Sequence, residues 1–288
     1  MPTRLVMAII GAASSAVLLG AAPASSERLQ RVVSRDGTSI LVECAGSGPN
    51  LLIVHGGTGD RTRWLPMFAY LERDFRVCAM DRRGHGQSGD GTAYSLTREA
   101  EDVAAVVNSR GGPVTVLGHS FGAVAAYEAA FFTPSIAGLI MYEPPIGLPD
   151  HSAALARIEA LIAMGDREAA TLTFFSDIVQ QSPEEISAMK GRPSWPAIVA
   201  SIEGSIRQDR ALSARAWDAA RAHRLRVRTL LLIGSRTTNP ELRDAVRNLM
   251  SALPNAETIV LEGQQHNAMD TDRPGFAAIV KRFSSEVD

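Results

Sequence analysis

The sequence predicts an α/β fold: a mostly parallel eight-stranded sheet flanked by helices, with an all-helical cap inserted after the sixth strand. Three observations predict it. A continuous apolar run at residues 51–54, a short, mainly apolar run at 114–117 and the same strand pattern resumed over 227–233 fit strands covered on both faces, as in parallel sheets. Helical periodicity separates most of these runs. Between residues 147 and 222 the strand-like runs stop, amphipathic helical patterns take over, and strands then resume.

The chain has 288 residues, 45% hydrophobic and 21% charged, enough for one large α/β domain or two small ones. A net charge of -2 gives no electrostatic reason to expect nucleic acid or an anionic membrane as partner. Residues 1–24 read as a cleaved leader: Arg4, an apolar stretch over residues 5–19, and Ala22-Pro23-Ala24 before the cut. The mature chain is then exported, to a periplasm or outside the cell, without stable membrane association. The rival is an uncleaved membrane anchor, against which Ser14, Ser15 and Gly20 interrupt a stretch near the lower limit for spanning. Cys44 and Cys78 are read as two small buried hydrophobes, although an exported chain permits a disulfide and their strands would be neighbours.

After the leader, residues 31–35 and 39–44 alternate as strands, with Asp36-Gly37 as the hairpin turn between them. Residues 51–54 form the third strand, which ends in His55-Gly56-Gly57-Thr58-Gly59. That loop carries neither phosphate-binding pattern, G-x-x-x-x-G-K-[ST] or G-x-G-x-x-G. A helix is expected over residues 65–71 and the fourth strand over 76–80. The following Asp81-Arg82-Arg83-Gly84-His85-Gly86-Gln87-Ser88-Gly89 loop is read as structural, because charged side chains there can satisfy loop backbone. A helix over residues 96–108 is given Thr97 as its N-cap, with Glu99 and Glu101 in the first turn.

Residues 114–126 organise the chain. A buried strand runs into Gly118-His119-Ser120-Phe121-Gly122 and then into a small-residue helix. A reversal this sharp strains the serine backbone and leaves no room for side chains at 118 and 122. It raises the Ser120 hydroxyl above the sheet, with the Phe121 N–H beside it, while the neighbouring His119 is expected to point away. A nucleophile next to a donor for developing negative charge is half of an acyl-transfer site. The N–H of Gly57 is the candidate for the second donor.

The sixth strand, residues 136–142, ends at Glu143-Pro144-Pro145. Cap helices are expected over 154–164, 168–175, 184–189, 196–206 and 211–223. Met164, Phe174, Phe175, Met189 and Trp195 are the candidates to line an apolar substrate pocket. Strands over 227–233 and 256–261 flank a helix at 240–253 capped by Asn239, and a helix over 274–284 closes the chain. His266 lies in the loop after the eighth strand, off any apolar face, where a general base could sit. No spacing of His, Cys or acids fits a metal site.

These landmarks together resemble the α/β-hydrolase superfamily, in its serine-nucleophile branch with a helical cap. The resemblance rests on His55-Gly56-Gly57, Asp81 to Ser88, Gly118 to Gly122 and Gly263-Gln264-Gln265-His266, in that order after the third, fourth, fifth and eighth strands. It implies the α/β-hydrolase fold, with residues 27–146 and 223–288 as core and 147–222 as cap. It implies Ser120 as nucleophile, His266 as general base, Gly57 and Phe121 as oxyanion donors, and no cofactor. The sequence departs from the family at the acid: Gly234-Ser235-Arg236-Thr237-Thr238-Asn239-Pro240 offers no carboxylate after the seventh strand. Glu143 is the replacement, because some branches, haloalkane dehalogenases among them, place the acid after the sixth strand. Serine at 120 argues against dehalogenase or epoxide hydrolase chemistry, which resembling members run with aspartate there. The expected activity is hydrolysis of an ester, thioester or lactone of a small to medium, largely apolar molecule through an acyl-enzyme. The alternatives are a non-catalytic ligand-binding protein on the same fold, or cleavage of a carbon–carbon bond or perhydrolysis with the same triad.

Overall fold

The structure is a computed structural model that describes residues 28–287. The leader expected over residues 1–24 lies outside the described residues. Eight strands form one sheet in the order β1-β2-β4-β3-β5-β6-β7-β8. They are β1 (Leu29–Val33), β2 (Ser39–Ala45), β3 (Asn50–Val54), β4 (Arg76–Met80), β5 (Val114–His119), β6 (Ile136–Tyr142), β7 (Arg228–Gly234) and β8 (Ala256–Leu261). β1 and β2 are a hairpin, and β2 pairs antiparallel with β4; β3 to β8 are parallel. Gly37 closes the hairpin at φ 87°, the left-handed region its turn requires.

Helices cover both faces of the sheet, which explains the unbroken apolar runs. On one side pack α2 (Leu96–Asn108), α3 (Phe121–Ala129) and α10 (Pro240–Ala252), through Val103, Val107, Val124 and Leu249. On the other pack α1 (Leu65–Leu71) and α12 (Arg273–Ser284), through Met67, Leu71, Phe276 and Val280. The cap of α2 is Ser95, which accepts from the N–H of Arg98, and not Thr97. Asn239 caps α10 as expected, accepting from the N–H groups of Glu241 and Leu242.

Cys44 and Cys78 face each other across β2 and β4 and are joined by a disulfide. This corrects the reading of two separate buried thiols. Opposite residues of an antiparallel pair are close enough to bridge, and that register is invisible in the sequence.

Between β6 and β7 lie α4 (Ser152–Ala163), α5 (Arg167–Thr173), α6 (Pro183–Lys190), α7 (Trp195–Ala200), α8 (Ile202–Ser213) and α9 (Ala219–His223). They share a small core of their own that includes Leu155, Ile158, Trp195 and Ile202. The expected single helix over 196–206 is two. Ser201 turns its hydroxyl onto the carbonyl of Ile198 at 2.8 Å and competes with the helix ladder. The helix expected over 211–223 is also interrupted, and Asp218 starts α9 by accepting from the N–H of Arg221 at 2.8 Å. After α5 the chain widens into a π turn, Phe174–Ile178, that buries both Phe174 and Phe175. A short helix the sequence reading did not include, α11 (Ala268–Thr271), precedes α12. Among the described residues no helix is long and apolar enough to cross a membrane.

Candidate active site

The carboxyl ends of β5 to β8 lie side by side: His119 pairs with Tyr142, Tyr142 with Leu232, and Gly234 with Leu261. Residues that follow these strands therefore meet at one edge of the sheet. Ser120 follows β5 at φ 51°, ψ -126°, a backbone region that costs a non-glycine residue strain. Its N–H donates to the carbonyl of Tyr142 at 2.8 Å, which pins the turn to β6. A Cβ at Gly118 would lie 2.4 Å from Cα of Ala123, and one at Gly122 would lie 2.3 Å from the carbonyl oxygen of His55. Only glycine lets α3 start this close to the sheet. The first N–H groups of α3, that of Phe121 among them, have no carbonyl one turn earlier to bond.

Glu143 follows β6, also in the left-handed region at φ 47°, and is fully buried. Its Oε2 accepts from Nδ1 of His266 at 2.5 Å. Its Oε1 accepts from the N–H of Gly234 at 2.8 Å and from the hydroxyl of Thr237 at 2.5 Å. The end of β7 thus holds the carboxylate that β6 supplies. A carboxylate only accepts, so Nδ1 of His266 carries the proton. The His266 loop is fixed from below. Nε2 of His119 donates to the His266 carbonyl at 2.8 Å, the Tyr142 hydroxyl donates to the carbonyl of Gln265, and the N–H of Ala268 donates to the Tyr142 oxygen at 3.1 Å. Burial pushes the His119 ring well below the ordinary histidine range, with the neighbouring His266 adding to it, so it stays neutral. His119 does not point away from the site, as its place next to Ser120 led us to expect. Its ring centre lies 4.6 Å from that of His266, and the side chain anchors the second histidine's backbone.

The loop after β3 is held by Arg82, which is fully buried. Its guanidinium donates to the carbonyls of His55 (3.1 Å) and Gly56 (2.9 Å), to Oε1 of Glu99 (2.9 Å) and to Oε1 of Gln208 (3.0 Å). It also lies over the Phe121 ring, 4.7 Å from the centroid. Both residues expected to supply oxyanion N–H groups are therefore tied to one side chain. Burial and the Arg82 charge hold His55 and His85 well below the ordinary histidine range, so both are neutral. His55 then accepts from the N–H of Arg82 at Nε2 and donates to the Gly56 carbonyl at Nδ1. The rest of the loop has the structural part its sequence led us to expect. Asp81 takes Arg61 and the N–H of Gln87, and Arg83 pairs with Asp102 through two bonds of 2.6 and 2.7 Å.

A cavity between this edge and the helical block is lined by Gly57, Ser120, Phe121 and His266 from the core and by Phe174, Phe175 and Met189 from the helices. Met164 is not part of it: it ends α4 on the outside, 73% exposed. Trp195 is buried in the block's own core against Phe175 rather than in the cavity. The sequence reading missed Ser205, Gln208, Asp209 and Glu241, all of which line the cavity. The signal for the first three was polar residues on the face of α8 that Ile202 and Ile206 mark as buried, whereas Glu241 lies in the first turn of α10. Among the described residues no group of three or more His, Cys, Asp or Glu could hold a metal ion.

The model of the alpha/beta hydrolase family matches residues 51–279. Lipase LipV of Mycobacterium tuberculosis is 33% identical over 123 residues, 42% of this chain and 46% of that protein. The probable oxidoreductase EphD of Mycobacterium bovis is 34% identical over 113 residues, 37% of this chain and 19% of that protein. The match therefore spans less than half the length of these curated relatives. Among solved structures, an alpha/beta hydrolase from Sphaerobacter thermophilus superposes with a TM-score of 0.79 at 31% identity, covering 88% of this chain and 99% of that one. The esterase RhEst1 from Rhodococcus sp. ECU1013 shares the fold, with a TM-score of 0.69 at 24% identity over 91% of this chain and 100% of that one.

Proposed function

The chain belongs to the alpha/beta hydrolase family, and we propose that it is a serine hydrolase that cleaves an ester, thioester or lactone through an acyl-enzyme. The observation that carries this reading is the buried contact between Glu143 and Nδ1 of His266, on the same cavity as a serine held at positive φ. With Nδ1 engaged, Nε2 is the ring nitrogen left to take the Ser120 proton as Oγ attacks the carbonyl carbon. The carbonyl oxygen gains negative charge and meets the N–H groups of Gly57 and Phe121. The imidazolium that forms faces the Glu143 carboxylate and then gives its proton to the leaving group. Water, activated by the same nitrogen, releases the acyl group and restores Ser120. LipV is named a lipase and RhEst1 an esterase, which supports an ester carbonyl as the target. The Cys44–Cys78 disulfide supports an oxidising compartment for the mature chain, as the leader implies.

Ser120→Ala tests the reading. It abolishes hydrolysis of p-nitrophenyl butyrate and labelling by a fluorophosphonate, with the melting temperature retained. Labelling that persists undiminished in this variant overturns it. Analysis of products from the unmodified protein separates hydrolysis from carbon–carbon cleavage or perhydrolysis.

A further inference from the structure

The cavity is not uniformly apolar, and its polar part lies close to the reacting centre. Ser205, Gln208 and Asp209 sit at i, i+3 and i+4 of α8 and share one face of the helix. Gln208 touches the oxyanion loop: its Nε2 is 3.4 Å from the Gly57 carbonyl oxygen, and its Oε1 is 3.4 Å from where a Cβ of Gly57 would be. Neighbours on a helix face are about 5–6 Å apart at Cβ, so Ser205 stands about one helical turn from both Gln208 and Asp209, which are adjacent in the chain.

Two observations show that this face has unused hydrogen-bonding capacity, most of it acceptor. Ser205 is 1% exposed, lines the cavity, and its Oγ has no hydrogen-bond partner among the described residues. A buried polar atom in that state is costly unless something that enters the cavity pairs with it. Asp209 is 4% exposed and lines the same cavity; its carboxylate meets Nδ1 of His151 at 3.2 Å. The other nitrogen of His151 goes to Glu241, a second carboxylate on the cavity wall, at 3.2 Å. Glu241 also takes Nε2 of Gln180 at 2.8 Å, whereas among the described residues the Asp209 carboxylate, with about four acceptor sites, has His151 alone.

We propose that Ser205 and Asp209 form a subsite for a hydrogen-bond donor on the substrate, a hydroxyl or an ammonium, carried a few bonds from the scissile carbonyl. A plain alkyl chain would leave the Ser205 hydroxyl and the free Asp209 lone pairs dry and unpaired. A carboxylate would face Asp209 and Glu241 as a like charge. The preferred substrate is then amphiphilic, with Phe174, Phe175 and Met189 against its apolar part. This inference rests on the serine-hydrolase reading.

The test compares p-nitrophenyl esters of hexanoic, 6-hydroxyhexanoic, 6-aminohexanoic and adipic acid (the last as its monoester). The hydroxyl or the ammonium ester exceeds hexanoate in kcat/KM by about tenfold or more, the size of one hydrogen bond to a charged acceptor. The adipate monoester falls below hexanoate. The ratio of the best donor ester to hexanoate drops toward one in Ser205→Ala and in Asp209→Asn. Hydrolysis of hexanoate with no gain from either donor overturns the subsite and leaves the hydrolase reading standing, as does a gain that survives in both variants. If no ester is hydrolysed, the hydrolase reading fails. The subsite is then read by calorimetry on the unmodified protein, where 6-hydroxyhexanamide must bind about tenfold tighter than hexanamide, and equal affinities overturn it.

Discussion

Glu143→Gln is the sharpest test of the proposed mechanism, because the surroundings dictate how the new amide sits. The carboxylate accepts at Oε1 from the Gly234 N–H (2.8 Å) and the Thr237 hydroxyl (2.5 Å), and at Oε2 from His266 (2.5 Å). The Thr237 hydroxyl can rotate, but the Gly234 N–H is backbone and cannot. Glutamine must keep its oxygen toward Gly234, which places its NH2 against Nδ1 of His266. That nitrogen then has to accept, and the ring proton moves to Nε2, where it blocks transfer from Ser120. Flipping the amide restores the working tautomer but sets NH2 against a buried N–H, at about 1–3 kcal/mol, or roughly 10–100-fold in population. Molecules in the flipped state also lose the charge opposite the imidazolium, about another 1.5–3 kcal/mol. Together these lower kcat by about 10²–10⁴-fold, the upper end of which equals the loss known for the acid-to-amide change in chymotrypsin-type triads. The assay is p-nitrophenyl butyrate hydrolysis under saturation, with circular dichroism to verify folding. A folded variant that keeps more than a tenth of wild-type kcat refutes the reasoning, and another acid then orients His266.

Arg82→Met removes the donors to the His55 and Gly56 carbonyls and leaves Glu99 buried without its cation. We expect kcat to fall about 10–100-fold with KM little changed, at the scale of one misplaced oxyanion donor, and urea unfolding to show about 3–5 kcal/mol less stability; adding Glu99→Met recovers stability but not kcat, and recovery of both refutes the positioning role. His151 sits between Asp209 and Glu241, and its pKa is raised above 6.5 chiefly by the hydrogen bond to Asp209. A raised folded-state value means that protonated His151 stabilises fully below pH 6.5 and loses this effect as pH rises through the folded value; the melting-temperature gap between wild type and His151→Gln therefore narrows from pH 6 to 9, and a gap that widens contradicts the assignment.

The sheet was readable because its physics is local. A strand buried on both faces must be apolar at every position, and residues 51–54, 114–117 and 136–142 are nearly so. Gly118 and Gly122 were readable for a related reason: each excludes a Cβ that backbone atoms would overlap. Glu143 was legible from the missing carboxylate after β7 together with the resemblance to branches that place the acid after β6; the pairing of β6 with β7 is what the structure adds. The helical block was harder. Helical period shows that Met164 and Trp195 lie on apolar stripes, but not whether a stripe faces the cavity, the block's own core or solvent. Trp195 went to the core and Met164 to solvent. Ser95 and Thr97 are both plausible caps by residue type, and only the extended backbone at Ser95 decides between them. Pairing of Cys44 with Cys78 depends on strand register across 34 residues, which no local pattern encodes.

The loop after β4 shows how a structural reading can be correct and still miss a contribution to the chemistry. The carbonyls of His55 and Gly56 lie just past the end of β3, where no neighbouring strand continues to pair with them. A guanidinium suits this place because it presents five donors in one rigid plane and never loses its charge. Arg82 spends them on two loop carbonyls, Glu99 and Gln208, while its plane lies over Phe121. Lysine would bring three donors around one point and could not span four acceptors spread over a loop and two helices. The buried Arg82–Glu99 pair is poor support for stability, since both groups lose their water. Its better justification is geometric. It sets the backbone of the Gly57 loop and the ring of Phe121 from one fixed group, the two residues that the proposed mechanism uses as oxyanion donors.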